Sequence, residues 1–132
     1  MLICCVIALL FCITGNAKVP YIPKIINYSV SDYKAGNQNW AVSQGPGGKM
    51  YIGNNRGLLV FDGIHWDLVK LPNNLGVRAL YISKDGRIYV GSFEEFGYFE
   101  MDDENDLIYH SLSSSEMNVY LNNDEFWTIN EG

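Results

Sequence analysis

"KMYIGNNRGLLVFDG", Lys49 to Gly63, is answered further along the chain by "RIYVGSFEEFGYFEMD", Arg87 to Asp102. Tyr51-Ile52-Gly53 matches Tyr89-Val90-Gly91 at an offset of 38 residues, and Trp40-Ala41-Val42 matches Arg78-Ala79-Leu80 at the same offset. Gly57-Leu58 aligns with Gly97-Tyr98 at an offset of 40, which places two extra residues in the second copy's loop. A third copy opens at Trp127-Thr128-Ile129. A period near 40 residues is the mark of a solenoid, a propeller or a similar array.

The local signals choose among these. Each unit holds four short runs rich in Val, Ile, Tyr, Phe and Trp, bounded by turn residues. In the first unit they are Trp40–Gln44, Met50–Gly53, Leu58–Phe61 and His65–Leu71; in the second, Arg78–Ser83, Ile88–Gly91, Tyr98–Met101 and Leu107–Leu112. Asp62-Gly63 and Asp85-Gly86 stand between apolar runs, where residues tolerant of positive φ make hairpins. No stretch after the first segment keeps a helical period. Four antiparallel strands per repeat is the blade of a β-propeller. The expected class is therefore all-β, with about two blades and the start of a third. Propellers close with four to eight blades, so the 132 residues read as an incomplete propeller from the N-terminal part of a larger protein.

The expected division is residues 1–17 as a signal peptide or uncleaved anchor, 18–36 as a lead-in, 37–74 as blade 1, 75–115 as blade 2 and 116–132 as the truncated start of blade 3. The opening "MLICCVIALLFCITGNA" is uncharged and apolar from Leu2 to Ile13, shorter than the ~20 residues of a membrane span. Gly15-Asn16-Ala17 supplies small residues for cleavage, although no Lys or Arg precedes the apolar run. Phe11 sits where a lipobox before Cys12 needs a small residue. Cys4, Cys5 and Cys12 all lie here, so the rest of the chain has no disulfide, thiol nucleophile or thiolate metal site. Export without cysteine suits a bacterial periplasm.

Nine Lys and Arg against fifteen Asp and Glu argue against a nucleic-acid face, which needs a basic stripe. Seven of the acids fall between Glu94 and Asp106, a run that reads as a solvated loop. Within it, Asp102, Glu104 and Asp106 alternate like the start of an EF-hand, but Leu107 and Ser113 replace the Gly and Glu such a loop requires. His65 and His110 sit in equivalent fourth strands without convergent partners, and no G-x-S-x-G, HExxH or phosphate loop is present. Neither a catalytic group nor a cofactor or metal is expected.

Strand order places any ligand site. In a four-stranded meander the blade-to-blade links and the second-to-third-strand loops emerge at one end. Here those segments gather Asn37, Gln38, Asn39, Asn54, Asn55, Arg56, Arg78, Phe93, Glu94, Glu95 and Phe96. Asn37, Asn39, Asn54, Asn55, Arg56, Arg78, Phe93 and Glu94 are the candidate ligand residues. Amides, a guanidinium and aromatic faces suit polar, weakly charged ligands such as carbohydrates, and loops on a rigid scaffold commonly bind. Asn and Gly also simply turn a chain.

Trp66-Asp67 is a literal WD dipeptide, but it lies in the fourth strand and no Gly-His pair precedes it. Asp85-Gly86-Arg87-Ile88-Tyr89-Val90-Gly91, Gly48-Lys49-Met50-Tyr51-Ile52-Gly53 and Gly57-Leu58-Leu59-Val60-Phe61-Asp62-Gly63 resemble the repeat of the two-component regulator propeller family. The resemblance covers Asn27 to Gly132, with Gly45-Pro46-Gly47-Gly48 lacking the usual Asp. It implies the periplasmic sensor region of a bacterial triple-tyrosine-motif or hybrid two-component regulator, anchored at the inner membrane. Its expected partners are an oligosaccharide ligand, the remaining blades and a kinase or helix-turn-helix output carried elsewhere. No nucleic acid is expected on this segment, and the membrane is met only through the first segment or the C-terminal part. The chain itself is then no enzyme. A propeller-type lyase or glycosidase fragment would need paired carboxylates; a non-catalytic scaffold or truncated gene product is the other alternative.

Overall fold

A computed structural model describes residues 22–113, 120–121 and 123–131. The expected signal segment, residues 1–17, lies outside them, as does part of the expected third blade. Among the described residues no helix is long and apolar enough to cross a membrane.

The order is a four-residue helix α1 (Val30–Tyr33), then β1 (Asn39–Gln44), β2 (Met50–Asn54), β3 (Gly57–Phe61), β4 (Trp66–Val69), β5 (Ala79–Ile82), β6 (Ile88–Gly91), β7 (Phe96–Met101) and β8 (Leu107–Ser111). They form two four-stranded antiparallel meanders, β1-β2-β3-β4 and β5-β6-β7-β8. These are two propeller blades, with each strand where the apolar runs place it to within two residues.

Strand pairing corrects one feature of the repeat alignment. Gly53 pairs with Leu58 across Asn54–Gly57, and Gly91 pairs with Phe96 across Ser92–Glu95. Four residues separate the partners in both blades, so the second hairpin has gained nothing at this loop. The extra residues instead lengthen β7 at its far end, where Glu100 and Met101 continue pairing with β8. Phe96, expected in the loop, is the first residue of β7.

Alternation along each strand gives each blade a leading face, turned back along the chain, and a trailing face, turned toward the next blade. On blade 1 the trailing face holds Tyr51, Leu58 and Val60; on blade 2 the leading face holds Ile88, Val90 and Phe99. All six are buried and form one cluster with Leu71 and Val77. Each fully buried large side chain here contributes roughly 1.5–3 kcal/mol of transfer free energy. Gly53 lets the incoming link pass close to β2. A Cβ on it would lie 2.9 Å from both Val77 Cγ1 and the Val77 carbonyl oxygen.

The leading face of blade 1 carries two cross-strand rows. Val42, Ile52, Leu59 and Leu68 form one; Gln44, Met50, Phe61 and Trp66 form the other. The lead-in covers the outer end of these rows. Tyr28 meets Phe61 and Trp66 edge-on, with centroids at 5.1 and 5.2 Å, and Tyr33 reaches Trp66 at 5.6 Å. Ser29 starts α1, its backbone N–H donating to Asp32 Oδ2 at 2.6 Å. The chain then leaves the helix through Lys34 in the left-handed region.

The β3–β4 turn is closed by Asp62, whose Oδ1 accepts from the backbone N–H groups of Ile64 and His65 at 2.8 and 2.7 Å. Those two backbone hydrogen bonds, with a smaller contribution from the His65 ring, lower its carboxyl to about 2. A depressed carboxylate stabilises the fold above its unfolded pKa near 3.8 and loses that contribution as pH falls toward 2. Acid titration of the native signal should therefore be shallower between pH 4 and 2 in Asp62→Asn than in the parent chain. Phe99→Ala, which empties the seam between the blades, should lower stability by about 3–5 kcal/mol in urea denaturation.

Candidate functional site

Both hairpin turns and both blade-to-blade links meet at one end of the fold, as strand order requires. Asn54 ends β2 and is wholly buried. Its Oδ1 accepts from the backbone N–H groups of Gly36 at 2.9 Å and Arg56 at 3.0 Å. Its Nδ2 donates to the Gly36 carbonyl and to Asn39 Oδ1, both at 2.7 Å. A buried amide satisfied at both ends is a structural clamp. It fastens the lead-in to the first hairpin and orients Asn39.

Asn55, one residue on, turns to the start of β1 and to the link that enters blade 2. Its Oδ1 accepts from Trp40 Nε1 at 2.6 Å and from an Arg78 terminal nitrogen at 2.7 Å, while Nδ2 donates to Gln38 Oε1 at 2.6 Å. Trp40 is bulged out of β1, because Asn39 pairs with Asn54 and Ala41 with Gly53, leaving it unpaired. The Arg78 guanidinium lies over the Trp40 ring at 4.5 Å and reaches Trp127 at 5.9 Å. The two indoles meet edge-to-face at 5.6 Å. Arg78 Nε is 3.6 Å from Glu125 Oε1, beyond hydrogen-bond reach, so that pair is held by charge alone.

Trp40, Arg78 and Trp127 thus form a cation–aromatic cluster in which three successive repeats each supply one residue. Arg78 is mostly covered, while Trp40 and Trp127 are 41% and 56% exposed. An exposed indole hydrogen-bonded to Asn55 presents a flat apolar surface beside polar groups.

Phe93 and Glu94 form the second hairpin's turn and are fastened to the third repeat. Phe93 bridges to Glu125, the Glu94 N–H donates to the Asp124 carbonyl at 2.9 Å, and Glu94 Oε1 accepts from the Asn123 N–H at 2.7 Å. Glu94 holds a positive φ of 51° to do so. Glu95 turns outward, where Oε1 accepts from Tyr109 Oη at 2.8 Å and Ser111 Oγ at 2.6 Å. Burial first, and this carboxylate second, hold the Tyr109 phenol far above its usual range. A cleft of about 340 Å³ between Asn73, Leu75, Phe93, Glu94, Glu95 and Ser113 opens on this side. Asn37 and Arg56 are exposed at the rim.

The predicted residues therefore divide. Asn39, Asn54, Asn55 and Arg78 are brought into one hydrogen-bonded group. Phe93 joins it through Glu125, Glu94 is fastened beside it to Asn123 and Asp124, and Asn37 and Arg56 stand at its edge. Sequence reasoning left out Trp40, Trp127 and Glu125. The signal for the two tryptophans was present, since the repeat alignment sets them at the same position as Arg78. Elsewhere, His65 pairs with Asp62 at 3.3 Å and His110 with Glu100 at 2.9 Å. The acidic loop closes on itself, Asp102 Oδ1 accepting from the Glu104 and Asp106 N–H groups. Among the described residues no cluster of His, Cys, Asp or Glu could hold a metal ion. Asn54→Ala should cost about 2–3 kcal/mol by urea denaturation, because the Gly36 and Arg56 N–H groups lose their acceptor. Amide exchange at those two residues should quicken more than elsewhere.

Residues 70–94 match the family model described as two component regulator propeller. No curated protein and no solved structure matches the chain. The matched stretch runs from the end of blade 1 through the link, β5 and β6 to the second hairpin turn, and so includes Arg78, Phe93 and Glu94. The chain carries a repeat of the two component regulator propeller family, centred on the first hairpin of blade 2.

Proposed function

We propose that the chain is the start of an extracytoplasmic, ligand-sensing propeller in a transmembrane signal-transduction regulator, and that its ligand is a neutral oligosaccharide. The observation that carries this reading is the Trp40–Arg78–Trp127 cluster at the axis. Sugar rings have apolar C–H faces and a polar rim. Exposed indoles fit the first, and the amides of Gln38 and Asn55 fit the second. Arg78 is offset by Glu125, which favours an uncharged ligand over an anionic one. The family match supports a regulatory rather than a catalytic role. No group in the cluster is poised for proton transfer or nucleophilic attack.

Because the cluster draws on three repeats, a ligand seated there would favour one relative arrangement of them. That is the differential affinity a sensor needs. Output through a kinase or DNA-binding module would belong to other parts of the protein. The segment is read as binding no nucleic acid, needing no cofactor, and residing outside the cytoplasm.

Calorimetric titration of the full chain with neutral oligosaccharides, with tryptophan emission followed in parallel, tests the reading. Saturable heat and an emission change are expected, with Trp40→Ala weakening binding at least tenfold. Absence of binding by any glycan at millimolar concentration, or glycan cleavage by the chain, would overturn it.

A further inference from the structure

At the end of the blades opposite the indole cluster, a cleft of about 520 Å³ opens between blade 1 and blade 2. Pro46, Lys49 and Tyr51 line it from blade 1, and Asp85, Ile88 and Glu100 line it from blade 2. Both walls are complete four-stranded sheets, and neither the lead-in nor the third repeat contributes to them. The volume is that of a small-molecule site.

Tyr51 is only 3% exposed, and what remains open of it lines this cleft. Its ring packs on Gly45, where a Cβ would come within 2.6 Å of Tyr51 Cε2. Among the described residues its hydroxyl has no hydrogen-bond partner. A buried polar group left unpaired carries a desolvation cost that a partner would relieve. Burial raises the phenol above its usual value of 10.0, so at neutral pH the group keeps its proton and can donate. Lys49 stands two residues earlier on extended backbone, which puts its side chain on the same side of the strand. Its ammonium has no ion pair among the described residues.

Two donors therefore share one space without an acceptor. An ammonium can only donate and an ionised carboxylate can only accept, and the hydrogen bond between them is charge-assisted. The opposite wall limits the ligand's charge. Asp85 Oδ2 and Glu100 Oε2 each lie 3.4 Å from Arg87, so the two cations of the lining, Lys49 and Arg87, are matched by two acids. One added negative charge is met by Lys49. A second would stand beside carboxylates with no cation left to balance it. We propose that this cleft binds a small organic monocarboxylate, its oxygens taken by the Lys49 ammonium and the Tyr51 hydroxyl and its hydrocarbon part lying against Pro46 and Ile88. The site is separate from the indole cluster, since Tyr51 and Asn54 stand near opposite ends of β2.

Calorimetric titration of the full chain with sodium butyrate at constant ionic strength tests this, with succinate as the doubly charged comparator and butanol as the neutral one. Saturable one-site binding of butyrate is expected, at least about tenfold tighter than succinate, with none of butanol. Lys49→Gln should weaken butyrate binding at least about tenfold, and Lys49→Arg should keep most of it. Tyr51→Phe should weaken it about fivefold or more and leave the urea midpoint unchanged, because the hydroxyl it removes has no partner within the protein. Failure of butyrate to saturate at high millimolar concentration, equal affinity for succinate or butanol, binding unmoved by Tyr51→Phe, or a lowered urea midpoint in that variant would each overturn the proposal.

Discussion

The structure depends on one contact: the apolar seam in which Tyr51, Leu58 and Val60 of blade 1 meet Ile88, Val90 and Phe99 of blade 2. A single four-stranded meander has two faces and too little interior to bury either, so a repeat is stable only against a neighbour. Glycine makes the seam tight at the axis. At Gly53 and Gly91 the next repeat's chain crosses with no room for a side chain, meeting Val77 in one case and Phe126 in the other. The link that begins each new blade is therefore pressed on the previous one. Local backbone geometry and inter-blade packing are set by the same residues.

That crossing also builds the candidate site. Where the link passes β2, the Val77 N–H donates to the Asn54 carbonyl; where it passes β6, the Phe126 N–H donates to the Ser92 carbonyl. Each crossing is followed at once by the residue that points to the axis, Arg78 or Trp127, beside the turn of the preceding hairpin. The cluster is thus a by-product of blade stacking, decorated by residue choice. In the first hairpin that choice is an Asn pair. Asn54 is committed to the fold, and Asn55 meets Trp40 and Arg78.

The strands were legible because the apolar runs are short, the turns carry Gly, Asn or Asp, and the period is regular. The loop assignment at Gly97 failed for a definable reason. Two glycines after two similar runs invite alignment, but Gly57 closes a two-residue turn with φ of 137°, whereas Gly97 lies inside β7. There its missing side chain makes room for Tyr109, whose ring a Cβ would strike. Pairing register separates the two roles, and sequence similarity does not. The same limit applies to Asn54 and Asn55, adjacent and chemically identical. Only the alternation of faces decides that one is buried under Gly36 while the other meets Trp40 and Arg78.

Trp40 shows how little of a site is visible one repeat at a time. Within its own blade it is an unpaired bulge residue with no obvious reason to be aromatic. Set against Arg78 and Trp127, it becomes the first member of a row that passes from repeat to repeat, in which a cation stands between two indoles and a carboxylate balances it. A guanidinium so placed is desolvated by its neighbours, and it is kept there by four partners drawn from two other repeats. Shifting the third repeat removes Trp127 and Glu125 together and leaves Arg78 with Trp40 and Asn55 alone. The position of one blade relative to the next is thereby written into the electrostatics of the axis. A ligand stacked on these indoles would bear on blade arrangement without any hinge in the loops.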